Sequence, residues 1–357
     1  MINIDTVHFR IQLPNHQVDG TTHFHVTNDD GEILRRCSNW VTLKHTDGLH
    51  SLRYRTVERI TGITVEIETS PYAFVFGQNV FTNSNLYNAC TLTLRKFISE
   101  FNIPVSNEVK MTWLQGDIEL TRVDLAKNFR FSSTDEGQRF LKQLRVQFSQ
   151  QNCSTWNCKT SVYWNPQMGR KYSICFYDKS SEMTRKIGAS KSKKYQRLLS
   201  ELDGIVRVEL RLKRPELKEL GLARLSSWTE SIADTIFDKY FDRLPIMNVT
   251  WGKLSQRALA NVTARMRPVL ALHKSGVSLS DVYSERSVRR HHKYFRSMGI
   301  DLRCLNQQDK SMKLKSLLSE KRLIKQPPQW MIDKDFAPSP SVSSNMKWEL
   351  RKVRSRS

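Results

Sequence analysis

No run of eighteen apolar residues occurs in this chain of 357 residues, so no membrane span is expected. Cysteine is sparse, and the six (Cys37, Cys90, Cys153, Cys158, Cys175 and Cys304) form no C-x-x-C pair. Cys153 and Cys158 have neither a second pair nor a histidine close by, which argues against a zinc site. From Met1 to Pro14 the chain alternates apolar and polar residues like a strand. It lacks the basic stretch and apolar run of a secretory leader. Free thiols in a reducing cytoplasm are therefore expected. There is no G-x-x-x-x-G-K-[ST] loop and hence no sign of coupled nucleotide hydrolysis. Internal repeats and long low-complexity tracts are absent as well.

Acidic residues are also few. The 57 Lys and Arg face only 35 Asp and Glu, a formal net charge of +22. A field that strong attracts polyanions. Nucleic acid is the commonest of these, because neutralising its phosphates releases condensed counterions. Solubility alone is a blander reading of the charge. A membrane surface fits less well, since no long basic amphipathic helix stands beside an apolar anchor. With 39% hydrophobic residues, 8 Trp and 16 Phe, the chain has the material for a folded core.

The patterning predicts an α+β protein. Residues 1 to about 130 read mainly as strands: Val7, Phe9, Ile11 and Leu13 alternate with polar residues, as do 63–67 and 118–126. Helices are expected at 86–101 and 136–151. Strands follow at 161–165 and 171–178, then a basic helical segment over 181–202 and a strand at 205–213. Pro215 suits the start of a helix. From 226 to about 325 the pattern is almost entirely helical. The expected organisation is an α+β domain over 1–222 with an antiparallel sheet, a helical domain over 223–325, and a Pro/Ser-rich basic tail over 326–357.

Four segments could carry chemistry. In Thr121-Arg122-Val123-Asp124 the arginine and aspartate share one strand face. In Tyr177-Asp178-Lys179-Ser180-Ser181-Glu182 a strand ends in polar residues and Glu182 opens a helix. Lys191-Ser192-Lys193-Lys194-Tyr195-Gln196 places a tyrosine on a basic helix. Val206-Arg207-Val208-Glu209-Leu210-Arg211-Leu212 alternates cleanly, with Arg207, Glu209 and Arg211 on one face. If these strands are neighbours, Asp124 and Glu209 lie on a common face with Glu182 at its rim. Three carboxylates suit a hard divalent cation, magnesium or manganese, which would polarise a phosphoryl oxygen. Tyr195 beside them could attack phosphorus. Lys193 and Lys194 would draw in a phosphate backbone, and Lys179 would stabilise charge on the phosphate or the phenolate. Taken singly, each segment is also an ordinary structural pattern: a surface ion pair, a solvated helix face, a half-exposed strand.

The order and spacing of these segments resemble the gene II replication initiators of filamentous phages, over most of the chain. Glu68-Thr69-Ser70-Pro71 with Phe76-Gly77-Gln78-Asn79-Val80-Phe81 is the most specific piece of the resemblance. Thr121 to Asp124, Val162-Tyr163-Trp164-Asn165, Tyr195-Gln196, Val206 to Glu209, Glu219 to Leu222 and Gln326 to Trp330 add to it. The resemblance implies a rolling-circle initiator of an antiparallel-sheet nickase type. Tyr195 would be its nucleophile, and metal-dependent nicking of one strand at an origin its activity. Duplex and single-stranded origin DNA, host helicase and host polymerase would be its partners, in the host cytoplasm. The Asp124, Glu182 and Glu209 site also resembles plasmid initiators, with their R-x-D, Y-D-K-x-x-E and R-x-E segments. His23-Phe24-His25 looks like the His-hydrophobe-His metal clamp of many rolling-circle nickases. It precedes the family-like core, however, and leads into the turn-forming Thr27-Asn28-Asp29-Asp30-Gly31, so a structural role is expected.

In the helical part, 278–301 could form a helix-turn-helix-like unit, with Ser284 or Ser287 capping the second helix. Arg286, Arg289, Arg290, His292 and Lys293 would crowd its exposed face, while Val288, His291 and Phe295 pack inward with Tyr294 beside them. Arg286, Arg289, Arg290 and Lys293, with Lys191, Lys193 and Lys194, are the candidate DNA contacts. A sequence-specific regulator without catalysis, or an RNA-binding protein, would share the charge. Either way, affinity for DNA should fall roughly a thousandfold between about 50 and 200 mM salt. Fluorescence anisotropy on labelled DNA measures this, and an affinity flat with salt would contradict the electrostatic reading.

Overall fold

A computed structural model of the chain describes residues 2–13, 23–27, 33–44, 50–59, 62–150, 157–158, 161–164, 169–188, 192–244, 260–275, 277–297, 302 and 317–338. Cys153, Asn165, Lys191, Cys304, the 28–31 turn, 298–301 and the tail from 339 lie outside them. The chain forms two compact units, one from 1–125, 217–235 and 325–357, the other from 126–216 and 236–324. As expected, an antiparallel-sheet N-terminal region is followed by a mostly helical C-terminal region. Among the described residues, no helix is long and apolar enough to cross a membrane.

In the first unit the strands are β1 (Asn3–Gln12), β2 (His23–Thr27), β3 (Ile33–Ser38), β4 (Val41–Lys44), β5 (Ser51–Arg59), β6 (Gly62–Thr69) and the start of β7 (Glu119–Arg130). Their hydrogen-bonded order is β2-β3-β5-β6-β1-β7, with β4 paired to β5. The predicted alternation in β1 holds: Val7, Phe9 and Ile11 are buried with Leu52, Val65 and Ile67. Helices α1 (Pro71–Phe76) and α2 (Leu86–Phe101) contact this part of the sheet. Asn85 caps α2 by accepting from the Asn88 amide at 2.8 Å. Asn102 ends it in the left-handed region at φ 46°. Tyr54 meets Phe97 and Phe101 of α2 edge-on at 5.1 and 4.9 Å.

The alternate residues of the same strands carry charge. Glu66, fully buried, lies between Arg10 and Arg55 at 2.6 and 2.5 Å. The Arg53 and Arg55 guanidinium groups lie over the Trp40 ring at 5.2 and 4.8 Å. Two short helices with no counterpart in the sequence pattern, α1 and α3 (Asn107–Leu114), also belong to this unit. Ser106 caps α3.

In the second unit the order is β7-β11-β10-β9-β8, with β8 (Asn157–Cys158), β9 (Ser161–Trp164), β10 (Tyr172–Asp178) and β11 (Ile205–Lys213). Glu209 lies opposite Cys175, and Arg207 opposite Tyr177. Val206, Val208, Leu210, Ile174, Phe176 and Val162 are buried. Helix α4 (Thr134–Gln150) packs on these strands, and its Phe148 meets Phe176 at 5.9 Å. The polar alternates of β11, namely Arg207, Glu209 and Arg211, share a face with Tyr177 and Cys175. The basic segment expected as one helix is two, α5 (Lys179–Ile187) and α6 (Lys193–Ser200). Gly188, at φ 54°, ends the first. Two helices straddle the units: α7 (Arg214–Glu219), with Pro215 in its first turn as predicted, and α8 (Glu230–Phe241).

The C-terminal helices α9 (Arg267–Lys274), α10 (Leu279–Val282) and α11 (Glu285–Ser297) close on a core of Val262, Val269, Leu270, Leu279, Phe295 and Leu302. The predicted inward set of α11 holds. His291 and Phe295 are buried and Val288 packs on the core, while Ser284 Oγ accepts from the Ser287 amide.

The turn into β11 leaves no room for a side chain. Gly204 has φ 67°, and a Cβ there would sit 2.5 Å from the Phe131 carbonyl oxygen. That carbonyl's own residue donates its amide to the Gly204 oxygen at 2.8 Å. Gly204→Ala should therefore destabilise the chain by about 2 kcal/mol or more, from strain at a left-handed position plus a backbone clash. Urea denaturation measures this, and an unchanged midpoint would contradict the turn geometry.

Candidate functional site

The β7 strand brings Arg122 and Asp124 to one face, as their spacing predicts. Arg122 Nε donates to Asp124 Oδ1 at 2.8 Å, and a second guanidinium nitrogen pairs with Oδ2. This fork geometry fixes the Asp124 side chain, which has no solvent exposure. Arg122 also reaches Glu68 at 3.3 Å. On β11, Glu209 is buried and has Arg211 at 3.5 Å.

The third carboxylate of this group is Asp5, on β1. Asp5, Asp124 and Glu209 each offer one carboxylate oxygen, and the three oxygens lie within 4.8 Å of one another. All three residues are buried. Asp5 Oδ1 accepts from Asn79 Nδ2 at 2.8 Å, and Thr6 Oγ1 donates to Oδ2 at 3.2 Å. Like charges held this close in a low dielectric repel strongly, and a divalent cation relieves that repulsion for all three at once. An all-oxygen, all-carboxylate donor set fits magnesium or manganese and disfavours softer metals. The sequence reading misses Asp5, but its position carries a signal. Asn3 and Asp5 occupy the same alternation as Val7, Phe9 and Ile11, so they are polar residues where an apolar one is expected.

Glu182 is not in this group. One of its oxygens meets Lys179 Nζ and the other Lys186 Nζ, both at 2.5 Å. Burial alone would raise its pKa, but the two ammonium groups outweigh burial and hold the carboxyl far below its ordinary range. Lys179 is completely buried, and its ammonium lies 5.6 Å from the centre of the Tyr177 ring. Asp178 caps α5 by accepting from the Ser181 amide at 3.1 Å.

Tyr195 lies on the inner side of α6 and is buried with Leu198, 6% exposed. Helices α5 and α6 pack on one another. Lys193 is exposed and Lys194 half-buried. Arg286, Arg289, Arg290 and Lys293 are exposed on α11, with Arg289 paired to Glu285 at 2.7 Å. A second tyrosine, Tyr163, sits on β9 opposite Cys175. The neighbouring Cys175 thiol, then burial, then Glu209 push its hydroxyl well above the usual tyrosine range. His23 and His25 belong to β2, opposite Ser38 and Arg36 of β3. Their side chains lie outside the described residues.

Buried carboxylates on β1, β7 and β11 of an antiparallel sheet make a candidate metal-holding scaffold. The relatives make the class specific. Residues 3–231 match the family model for the N-terminal region of the phage replication-associated protein, the gene II protein, and the chain belongs to this family. It is 23% identical over 239 residues to the replication-associated gene II protein of Enterobacteria phage I2-2, a stretch covering 66% of this chain and 69% of that protein. No solved structure matches the chain.

The Lys179–Glu182 pair has a measurable consequence. Glu182→Gln leaves a fully buried ammonium with a weakened partner and should cost about 3 kcal/mol. The double variant Lys179→Met with Glu182→Gln should recover a good part of it. The sign of the pH dependence follows from the depressed carboxyl. The stabilisation is present above the ordinary carboxylate pKa and is lost as pH falls through the lower folded-state value. Chemical denaturation from pH 7 down to pH 3 checks both, and a Glu182→Gln protein as stable as the parent at pH 7 would contradict the pairing.

Proposed function

We propose that the chain initiates rolling-circle DNA replication by nicking one strand at an origin and later rejoining the displaced strand. The observation that carries this reading is the buried Asp5, Asp124 and Glu209 group within the 3–231 family match. Asp124 and Glu209 keep their expected role as metal ligands, joined by Asp5, while Glu182 is assigned to holding Lys179. When bound, magnesium or manganese would polarise a non-bridging oxygen of the scissile phosphate.

The chain's own residues supply the rest. Tyr195 is the proposed nucleophile. Its phenolic oxygen forms a bond to phosphorus as the bond from phosphorus to the 3′ oxygen breaks. The phenolic proton passes to solvent, and the leaving oxygen takes one up. The product is a 5′-phosphotyrosyl link and a free 3′-OH, which a host polymerase can extend. One phosphodiester replaces another, so no nucleotide hydrolysis is needed, and unwinding falls to a host helicase. The reverse attack by a newly made 3′-OH releases a closed single-stranded circle. Lys179 is assigned to stabilise the phenolate. Because Tyr195 faces inward, attack requires α6 to yield its inner side to the DNA. Lys193 and Lys194 at the start of that helix, together with Lys191 two positions earlier in the sequence, are the proposed phosphate contacts that drive this movement. Arg286, Arg289, Arg290 and Lys293 on α11 are the proposed contacts to the duplex. The host cytoplasm is the compartment in which these partners meet.

Supercoiled plasmid carrying the element's own origin is the test substrate. Nicking with magnesium is expected from the full chain. It should be lost in Tyr195→Phe and on chelation, with origin binding retained in the variant. Tyr163→Phe should still nick, because a phenol held so firmly protonated is a poor nucleophile. Undiminished nicking by Tyr195→Phe, with loss in Tyr163→Phe, would move the nucleophile to β9. Origin binding without any nicking by the parent would leave a non-catalytic regulator.

A further inference from the structure

The loop between α1 and α2 contains the most family-like residues in the chain, yet none of them offers a carboxylate, a nucleophile or a positive charge. Its residues 77–82 are buried. Gln78, with no solvent exposure, makes four hydrogen bonds. Its Oε1 accepts from the Val80 and Phe81 amides at 2.7 and 2.9 Å, and its Nε2 donates to the Phe81 and Phe336 carbonyls, both at 2.8 Å. The next residue, Asn79, is buried and donates from Nδ2 to Asp5 Oδ1 at 2.8 Å. Further along, the Thr82 amide donates to Asn3 Oδ1 at 2.9 Å, and the Ile4 amide to the Asn83 carbonyl at 3.0 Å. The loop is thus stitched to the start of β1 beside Asp5.

The Phe336 carbonyl comes from the far end of the chain. A short helix, α12 (Gln329–Asp333), leads into it, and Met331, Phe336 and Ala337 are buried in the first unit. The Phe336 and Ala337 amides both donate to the Met331 carbonyl, at 2.7 and 3.1 Å, closing a tight strap. The Trp330 and Phe336 rings lie 6.1 Å apart.

We propose that Asn79 is a positioning residue for the metal site, and that the 329–337 strap, acting through Gln78, holds it in place. This rests on Asp5, Asp124 and Glu209 being the metal ligands. A carboxylate that binds a cation with one oxygen and is oriented by a fixed amide donor starts from the geometry the cation needs. Removing such an orienting partner typically weakens metal binding ten- to a hundredfold. Gln78 sets the loop's backbone, and the strap supplies an acceptor that water would otherwise have to provide. The strap therefore supports the site without touching any ligand.

Manganese binding to the full-length chain without DNA tests this, with free Mn²⁺ read by electron paramagnetic resonance. Asn79→Ala should weaken Mn²⁺ affinity about tenfold. Phe336→Ala should act in the same direction and more weakly. Thr82→Val removes a neighbouring hydroxyl bond to Asn3, at 3.2 Å, without touching Asp5, and should keep the parent's affinity. Asp5→Asn and Asp124→Asn should each lose high-affinity binding. If those two variants bind Mn²⁺ as the parent does, the metal reading falls and takes this inference with it. If they lose binding while Asn79→Ala keeps it, the ligands stand and the positioning role is refuted. If Thr82→Val and Asn79→Ala lose affinity equally, the loop acts only as general scaffold and the specific role of Asn79 is likewise refuted.

Discussion

A carboxylate removed from water costs several kcal/mol unless charge or hydrogen bonds replace its hydration, and this chain withdraws several of them into its sheet strands and the adjoining helix. Each is answered by a different device. Glu66 is clamped between Arg10 and Arg55. Asp124 takes the fork of Arg122. Glu182, half-buried, is bracketed by Lys179 and Lys186 on its own helix. Glu209 has Arg211 nearby, and Asp5 has the amide of Asn79 and the hydroxyl of Thr6. The devices separate structural acids from candidate functional ones. Glu66 and Glu182 have each oxygen matched by a separate cation. Asp124 has both oxygens matched by the one guanidinium of Arg122, yet Asp5, Asp124 and Glu209 also bring an oxygen each toward one another, an arrangement that makes electrostatic sense around a cation.

The charge of the whole molecule works in the opposite sense. An excess of 22 positive charges raises the local concentration of any polyanion. A site of clustered carboxylates would repel a phosphate backbone on its own. In the proposed function the chain's excess of Lys and Arg would bring the phosphate close, and a bound cation would turn the local repulsion into attraction. Net charge and acidic site would then be complementary parts of one binding problem.

Much of this is legible in the sequence alone. The 86–101 helix lies where its periodicity puts it, and β7 and β11 form where their alternation puts them, although both strands are buried on both faces over most of their length. Arg122 and Asp124 share a face because strand geometry leaves them no other option. Three features are not legible, each for a physical reason. The six residues of α1 are nearly all apolar, so they show no helical stripe. Asp5 acquires its meaning only from β7, β11 and a loop seventy-four residues away. Glu182 looks like a ligand when acidic residues are counted without their local partners. Its spacing to Lys179 and Lys186, three and four residues along one helix, is the signature of an ion-pair network.

The bond from Gln78 to the Phe336 carbonyl spans 258 residues of chain. Protein synthesis is directional, so the loop beside Asp5 emerges from the ribosome long before the stretch of backbone that completes it. At ordinary elongation rates the delay is on the order of ten to fifty seconds. During that interval the growing chain comes to carry Tyr195 and every carboxylate of the site, while Gln78 still lacks one of its four partners. A nascent chain thus holds the carboxylates of the site before it holds the backbone acceptor that completes the hydrogen bonding of Gln78.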